Sequence, residues 1–229
     1  MQKLIVLSGA GISAESGLRT FRDVGGLWEG HDVMTVVSPE GWKNNPKLVL
    51  DFYNQRRREL KKVKPNEAHL ILKELEAFFE VFIITQNVDD LHERAGSKNV
   101  LHLHGELLKV RSERDENLIY NWTEDLHLED KAQDDGDRLR PHIVWFGEEV
   151  PMIKQATTQV ARGDICLLIG TSLEVCPAAS LINYLPSNAK IYVIDPKKPS
   201  ALDVKNTYFI ECIASEGMRI LREILLKNN

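Results

Sequence analysis

Five short apolar runs limit what this chain can fold into. They fall at Leu4-Ile5-Val6-Leu7 and at residues 81–84, 143–146, 165–169 and 191–194. Four or five consecutive apolar residues bounded by turn formers bury both faces of a strand, the pattern of a parallel sheet covered on each side. Helical patterns lie between them. Pro65 and Asn66 open one in which Ala68, Ile71, Leu72, Leu75, Phe78 and Phe79 recur at helical spacing and lead directly into the run at 81. Two further helices are predicted over 151–161, before Gly163, and over 215–227, with Met218, Leu221, Ile224 and Leu225 on one side. Strands alternating with helices of this length predict an α/β fold, a parallel sheet with helices on both faces.

Two stretches break the alternation and read as insertions. Residues 25–62 carry Trp28, Trp42 and Tyr53 among charged residues, as short helices packed outside a sheet would. Residues 112–137 hold ten acidic and two basic residues, a net charge of −8 that exceeds the −5 of the whole chain. Placing Gly136 sixth in a calcium loop puts Lys131 first, where a carboxylate is required. The segment is therefore expected to be a solvated, flexible insertion. The predicted organisation is a main domain from 1–24, 63–106 and 140–229, and a small domain from 25–62 and 107–139.

Net charge −5, with 43% hydrophobic and 28% charged residues, describes an ordinary globular chain and argues against sequence-independent attraction to nucleic acid or anionic membranes. No apolar run approaches the roughly 18–20 residues that span a bilayer, and the first residues are too short for a signal peptide, so a cytoplasmic location is expected. Cys166, Cys176 and Cys212 are odd in number and widely spaced, which offers neither a disulfide framework nor a Cys-x-x-Cys knuckle. All three are read as buried or half-buried thiols.

Gly9-Ala10-Gly11, directly after the first run, suits a turn whose backbone approaches a phosphate, and equally a tight strand-to-helix turn. Gln86 and Asn87 follow the run at 81–84, at the end where open α/β sheets bind ligands. His102 and His104 are each candidates for a base or for a structural role at a strand end.

Read further, residues Gly9-Ala10-Gly11-Ile12-Ser13-Ala14-Glu15-Ser16-Gly17-Leu18-Arg19-Thr20-Phe21-Arg22 closely resemble the opening signature of the sirtuins. The resemblance continues in the family's order. It takes in Pro65-Asn66-Glu67-Ala68-His69, Thr85-Gln86-Asn87-Val88-Asp89-Asp90-Leu91-His92, Ala95-Gly96, Leu103-His104-Gly105, Pro141 with Val144-Trp145-Phe146-Gly147-Glu148, and Gly170-Thr171-Ser172. It covers nearly the whole chain outside the acidic insertion.

The resemblance implies a Rossmann-like fold and NAD used as a co-substrate. In that chemistry the acyl oxygen of an acylated lysine attacks the nicotinamide ribose and nicotinamide leaves. A base then activates a ribose hydroxyl, and the acyl group departs on ADP-ribose. His104 is implied as the base and Asn87 as a second catalytic residue. Gly9, Ala10, Gly11, Ala14, Glu15, Phe21, Arg22, Gln86, Asn87, Asp89, Gly170, Thr171 and Ser172 are implied in NAD binding. Asp195 joins them where the family more often has asparagine. Val144, Phe146, Gly147 and Val175 match the segments between which a substrate peptide adds as a strand.

Tyr53-Asn54-Gln55-Arg56 is similar to the Tyr-x-x-Arg pair of the class III branch that removes malonyl, succinyl or glutaryl groups, in which the guanidinium takes the acyl carboxylate. Val37 stands where that branch usually has an alanine that widens the pocket, and its extra volume favours the shorter malonyl and succinyl among the carboxylated groups, while the preference over acetyl rests on Tyr53 and Arg56. Most sirtuins bind zinc through two Cys-x-x-Cys pairs after the base. Residues 106–140 contain no cysteine, as in bacterial members without the zinc site, so no metal is expected and Ile119, Tyr120, Trp122 and Leu126 are expected to hold the module by packing. Alternatives are a plain lysine deacetylase, a mono-ADP-ribosyltransferase and an NAD or ADP-ribose sensor; a monomer acting on acylated lysines in proteins is the expectation.

Overall fold

The computed structural model describes residues 1–19, 27–28, 31–173, 176–197 and 205–227. Strand β1 (Lys3–Ser8) runs into a 3-10 helix (Ala10–Ser16), and a two-residue hairpin, β2 (Leu27–Trp28) with β3 (His31–Asp32), precedes three helices. These are α1 (Val33–Val36), α2 (Pro39–Asn44) and α3 (Pro46–Leu60). The Ser38 hydroxyl and Asn45 carbonyl accept N–H groups at the starts of α2 and α3, each followed by proline at the first helical position. Next come α4 (Glu67–Leu75), β4 (Glu80–Thr85), α5 (Leu91–Arg94), β5 (Val100–His102), β6 (Gly105–Ser112), β7 (Ile119–Asn121) and β8 (Leu139–Ile143). The chain ends with α6 (Ile153–Val160), β9 (Ile165–Ile169), a 3-10 helix (Ala178–Tyr184), β10 (Lys190–Ile194), β11 (Thr207–Ile210) and α7 (Ala214–Lys227).

The main sheet is parallel in the order β11-β10-β9-β1-β4-β5. Four of the five apolar runs are its neighbouring central strands. Alternation along β1 sends Leu4 and Val6 to one face, against Ile71 and Leu75 of α4 and Met218 and Leu221 of α7. Ile5 and Leu7 face the other way, toward Ala156 and Val160 of α6 and Leu181. The order reverses at β1, since the chain builds outward through β4 and β5 and then returns to add β9. The crevice beyond the ends of β1 and β9 is therefore the switch point at which such sheets bind ligands.

The run at 143–146 is a correction. Ile143 closes β8, which pairs antiparallel with β6 in a separate sheet of order β7-β6-β8, and Val144 to Phe146 lie beyond the strand. Its apolar character reflects a second core and not the parallel sheet. Beta6 instead pairs antiparallel with both β7 and β8. Alpha4 also stops earlier than its periodicity suggests. Phe78 and Phe79 sit in a turn, with Phe78 exposed and Phe79 buried.

The second core joins α1–α3 to the small sheet through Trp42, Val49, Tyr53, Leu60, Val110, Leu126, Leu139 and Trp145. The acidic segment belongs to it, against the expectation of a flexible insertion. Asn54 clasps the Leu126 backbone from both sides, donating to its carbonyl and accepting from its N–H at 2.9 Å each. Arg58 and Lys61 of α3 pair with Asp125 and Glu124, and Arg138 pairs with Glu113. These acidic side chains are thus paired across the module while staying in contact with water. Leu126 is buried, Tyr120 and Trp122 pack against the core, and Ile119, expected to contribute, is exposed. Cys166 is buried in the main sheet and Cys212 is half-buried, whereas Cys176, expected to be buried or half-buried, is exposed in the turn before Pro177. Among the described residues no helix is long and apolar enough to cross a membrane.

Candidate active site

The loops after β1 and β9 meet backbone to backbone. Gly11 N–H donates to the Gly170 carbonyl at 2.9 Å, and a Cβ on Gly11 would stand 2.6 Å from the Gly170 Cα. Gly170 itself has φ of +61°, where a side chain is strained. The glycines therefore serve close loop packing as well as any ligand. Together with the ends of β4 and β10 these loops line a cleft of about 840 Å³, within the range of small-molecule sites. The cleft continues past His104 to the second core, where Val37, Tyr53, Arg56 and Phe146 line it.

Beneath the glycine loop lies a buried polar cluster. Asn87 donates through its amide to the Gly9 carbonyl at 3.2 Å and to the Ser13 hydroxyl at 3.3 Å. Ser13 in turn donates to Asp89 at 3.0 Å, and Leu91 N–H reaches the other Asp89 oxygen at 3.2 Å. Burial pushes the Asp89 carboxyl up to about 6, against the pull of these two bonds. Gln86 donates to the Thr171 hydroxyl at 2.9 Å and so ties the end of β4 to the loop after β9. Ser13 is a site residue the sequence reading quoted without a role. A hydroxyl buried at 2% exposure among polar groups was its signal, and that needs the fold.

The two histidines separate on geometry. His102 is held at both nitrogens, by the Asn87 carbonyl at 2.9 Å and the Glu93 carboxylate at 2.8 Å. Burial alone would lower its pKa, but Glu93 more than offsets this and raises it. His104 contacts the Gln86 carbonyl through Nδ1 at 3.0 Å, and burial, only partly opposed by that bond, lowers its pKa below 6.5. With Nδ1–H donating, Nε2 carries the lone pair, and the residue lines the cleft. A neutral imidazole beside a fixed carbonyl is a competent base at neutral pH. Gly105 follows with φ of +82°, and a Cβ there would collide with the His142 carbonyl, so glycine is what lets the chain turn into β6 directly after His104.

On the opposite wall, Val144 N–H donates to the His104 carbonyl and Phe146 N–H to the Val37 carbonyl, both at 3.0 Å. The segment is anchored by Glu148, which accepts Trp145 N–H at 2.8 Å and takes the Arg140 guanidinium at 2.7 and 3.2 Å. Tyr53 is 1% exposed, and its hydroxyl accepts the Trp145 indole N–H at 2.9 Å. Arg56 stacks on Phe52 and pairs with Glu59. Arg57, next to it, is wholly buried and donates to the Leu107 carbonyl and to Asn54.

The expected cofactor residues Gly9, Ala10, Gly11, Ala14, Glu15, Gln86, Asn87, Asp89, Gly170, Thr171, Ser172 and Asp195 all line this one cleft, as do Tyr53, Arg56, Val144, Phe146 and Gly147. Glu15 lies at its edge with its carboxylate accepting Ser215 N–H at 3.1 Å, at the start of α7. Asp195, 3% exposed at the end of β10, accepts Lys197 N–H at 2.9 Å. Phe21, Arg22 and Val175 lie outside the described residues.

Comparison with known proteins agrees with this arrangement. The Sir2 family model matches residues 9–177. A NAD-dependent protein deacylase of Helicobacter pylori is 58% identical over 227 residues, covering 99% of this chain and 95% of that one. One from Bacteroides thetaiotaomicron is 50% identical, covering 99% of each. Among solved structures, a Sir2 homologue in complex with NAD superposes with a TM-score of 0.88 at 36% identity, over 99% of this chain and 90% of that one. A Sir2 protein bound to acetylated peptide gives 0.81 at 28% identity, over 97% and 92%. A family model spanning most of the sequence, with half or more of the residues shared with relatives over nearly its full length, means that this chain belongs to the Sir2 family.

Proposed function

We propose that this protein removes acyl groups from lysine side chains of proteins at the expense of NAD and one water, releasing nicotinamide, O-acyl-ADP-ribose and free lysine, with malonyl and succinyl preferred over acetyl. The observation that carries the reading is the continuity of one cleft. It runs from Asp195 and the paired glycine loops, past Asn87 and His104, to Tyr53 and Arg56. A dinucleotide suits the first part, which offers a buried carboxylate for a ribose, close-packed backbone for phosphates and amide side chains beyond them. NAD bound there supplies an electrophilic anomeric carbon and nicotinamide as leaving group.

The chain's own residues do the rest. Asn87, fixed from Gly9 and Ser13, orients groups at the ribose. Asp89 receives the nicotinamide carboxamide. His104 takes a proton at Nε2 while its Nδ1–H stays on the Gln86 carbonyl. The segment Val144 to Gly147 pairs with the peptide backbone, and the acyl-lysine enters between Val37 and Phe146 toward Tyr53 and Arg56. The relatives named as NAD-dependent protein deacylases, and the relative bound to acetylated peptide, support this reading. We assign 1–24, 63–106 and 140–229 to the dinucleotide-binding domain and 25–62 with 107–139 to the small domain that supplies the acyl end.

The test is a panel of acetyl-, malonyl-, succinyl- and glutaryl-lysine peptides incubated with NAD and followed by product mass. Loss of acyl groups in step with nicotinamide release is expected. NAD cleavage with every peptide intact would overturn it.

A further inference from the structure

Arg56 does not wait in the cleft with an open fork. Its Nε donates to one Glu59 oxygen at 3.1 Å and its Nη2 to the other at 3.3 Å, the side-on bidentate geometry by which arginine takes a carboxylate. The two residues are one helical turn apart on α3, and both line the cleft beside Tyr53. Gln55 donates to the same Glu59 carboxylate at 3.0 Å, which holds it toward the arginine. The pair is uneven in depth: the Arg56 side chain is 10% exposed and that of Glu59 40%. The arginine is fixed from within, and the carboxylate sits on the solvent side.

We infer that Glu59 determines acyl selectivity by occupying the arginine fork that a carboxylated acyl group needs, acting as a resident competitor. The inference rests on the assignment of Arg56 to the acyl carboxylate made above. Two consequences follow from the charge arithmetic. Glu59 cancels part of the positive charge that Arg56 and nearby Arg19 present, so an incoming malonyl or succinyl group feels less attraction than the arginines alone would give. To make a bidentate contact through Nε and Nη2 it must also displace Glu59, and a half-exposed ion pair is weak enough to yield. An acetyl group has no carboxylate and meets neither cost. Selectivity then becomes a graded preference, set by how readily Glu59 swings out, in place of an absolute requirement for a carboxylate.

Glu59→Gln tests this with little change of shape. The amide oxygen still accepts from Gln55 and Arg56 Nη2, while the charge and the acceptor for Arg56 Nε are lost, which frees one donor of the fork. With the full chain at saturating NAD, the ratio of kcat/KM for a succinyl-lysine peptide to that for the matched acetyl-lysine peptide should rise about threefold to fivefold. The gain should fall in KM for the succinyl peptide and not in its kcat. Glu59→Asp, which restores the charge, should bring the ratio back toward the starting value. Arg56→Met, measured in parallel, should lower it. If Arg56→Met lowers the ratio while Glu59→Gln leaves it unchanged or reduces it, the arginine assignment stands and the resident competitor is overturned. If Arg56→Met leaves the ratio unchanged, the acyl assignment fails and takes this inference with it.

Discussion

His104 and Gln86 are joined through the imidazole Nδ1 and the backbone carbonyl at 3.0 Å, and this contact fixes which nitrogen is free to act. Since burial holds the imidazole below 6.5, it is neutral at pH 7, the form a base requires. Activity should therefore rise as pH increases through the folded-state pKa and be flat above it. The acid limb of kcat/KM is expected to lie below pH 6.5, and a midpoint at 7 or higher would contradict the assignment. His104→Ala should reduce kcat by about 10²- to 10⁴-fold, the usual range for loss of a positioned base.

Asp89 gives the opposite coupling between activity and stability. Its carboxyl is nearly inaccessible and is raised from 3.8 to about 6, so the folded state holds the proton more tightly than the unfolded chain. Such a group contributes stability that is full below pH 3.8 and lost as pH rises through 6. At pH 8 the ionised carboxylate is a cost, on the order of 1–3 kcal/mol. Asp89→Asn keeps the bond from Leu91 N–H, and the Ser13 hydroxyl can rotate to accept instead of donate. The variant should melt at higher temperature than the parent at pH 8, with the advantage gone at pH 4, while deacylation falls. A lower melting temperature at pH 8 would argue that the charge is compensated.

Tyr53 carries two jobs that one substitution separates. Tyr53→Phe removes the acceptor of the Trp145 indole N–H, which is buried, and an unpaired buried donor costs about 1–3 kcal/mol. Chemical denaturation should register that loss. Activity on succinyl-lysine should fall more than activity on acetyl-lysine if the phenol, which lines the cleft, also meets the acyl group as proposed. Equal losses on both substrates would reduce Tyr53 to its contact with Trp145.

Beta1, β4, β9 and β10 were legible because central strands of a parallel sheet must be apolar on both faces, a pattern that the run at 143–146 imitates because it enters the second core. Beta6 and β8 were not. They carry Lys109, Arg111, Arg140 and His142, and their pairing depends on contacts between distant segments that no local pattern records. The acidic segment misled for the same reason: its partners, Arg58 and Lys61, lie more than 60 residues earlier. At the site, residues at strand ends announced themselves through glycine turns and paired amides. Residue type and position left His102 and His104 equivalent, and the resemblance alone selected His104; the physical reason, that Glu93 on α5 locks the first, needs the fold. Glu59 was visible three residues after Arg56, but its direction, into the fork, is a fact of packing.

Glu148 is the clearest test of what holds the wall proposed to pair with substrate. It accepts two bonds from Arg140 and one from Trp145 N–H, with Arg111 at 3.5 Å, and the Arg140 guanidinium lies 3.4 Å from the centre of the Trp145 ring. Burial alone would raise its pKa, but the two arginines and the Trp145 N–H prevail and lower it. A lowered carboxyl contributes stability that is present above its unfolded value of 4.5 and lost as pH falls through the folded one. Removing it leaves two mostly buried guanidinium groups facing each other, a loss of about 3–5 kcal/mol for a broken buried pair, less here because Glu148 retains some solvent contact. Glu148→Ala should therefore unfold at clearly lower denaturant, and raise KM for peptide more than KM for NAD, since Val144 to Gly147 loses its anchor while the glycine loops do not touch it. A variant in which both KM values rise together would mean that Glu148 stabilises the fold as a whole and does not specifically hold the peptide wall.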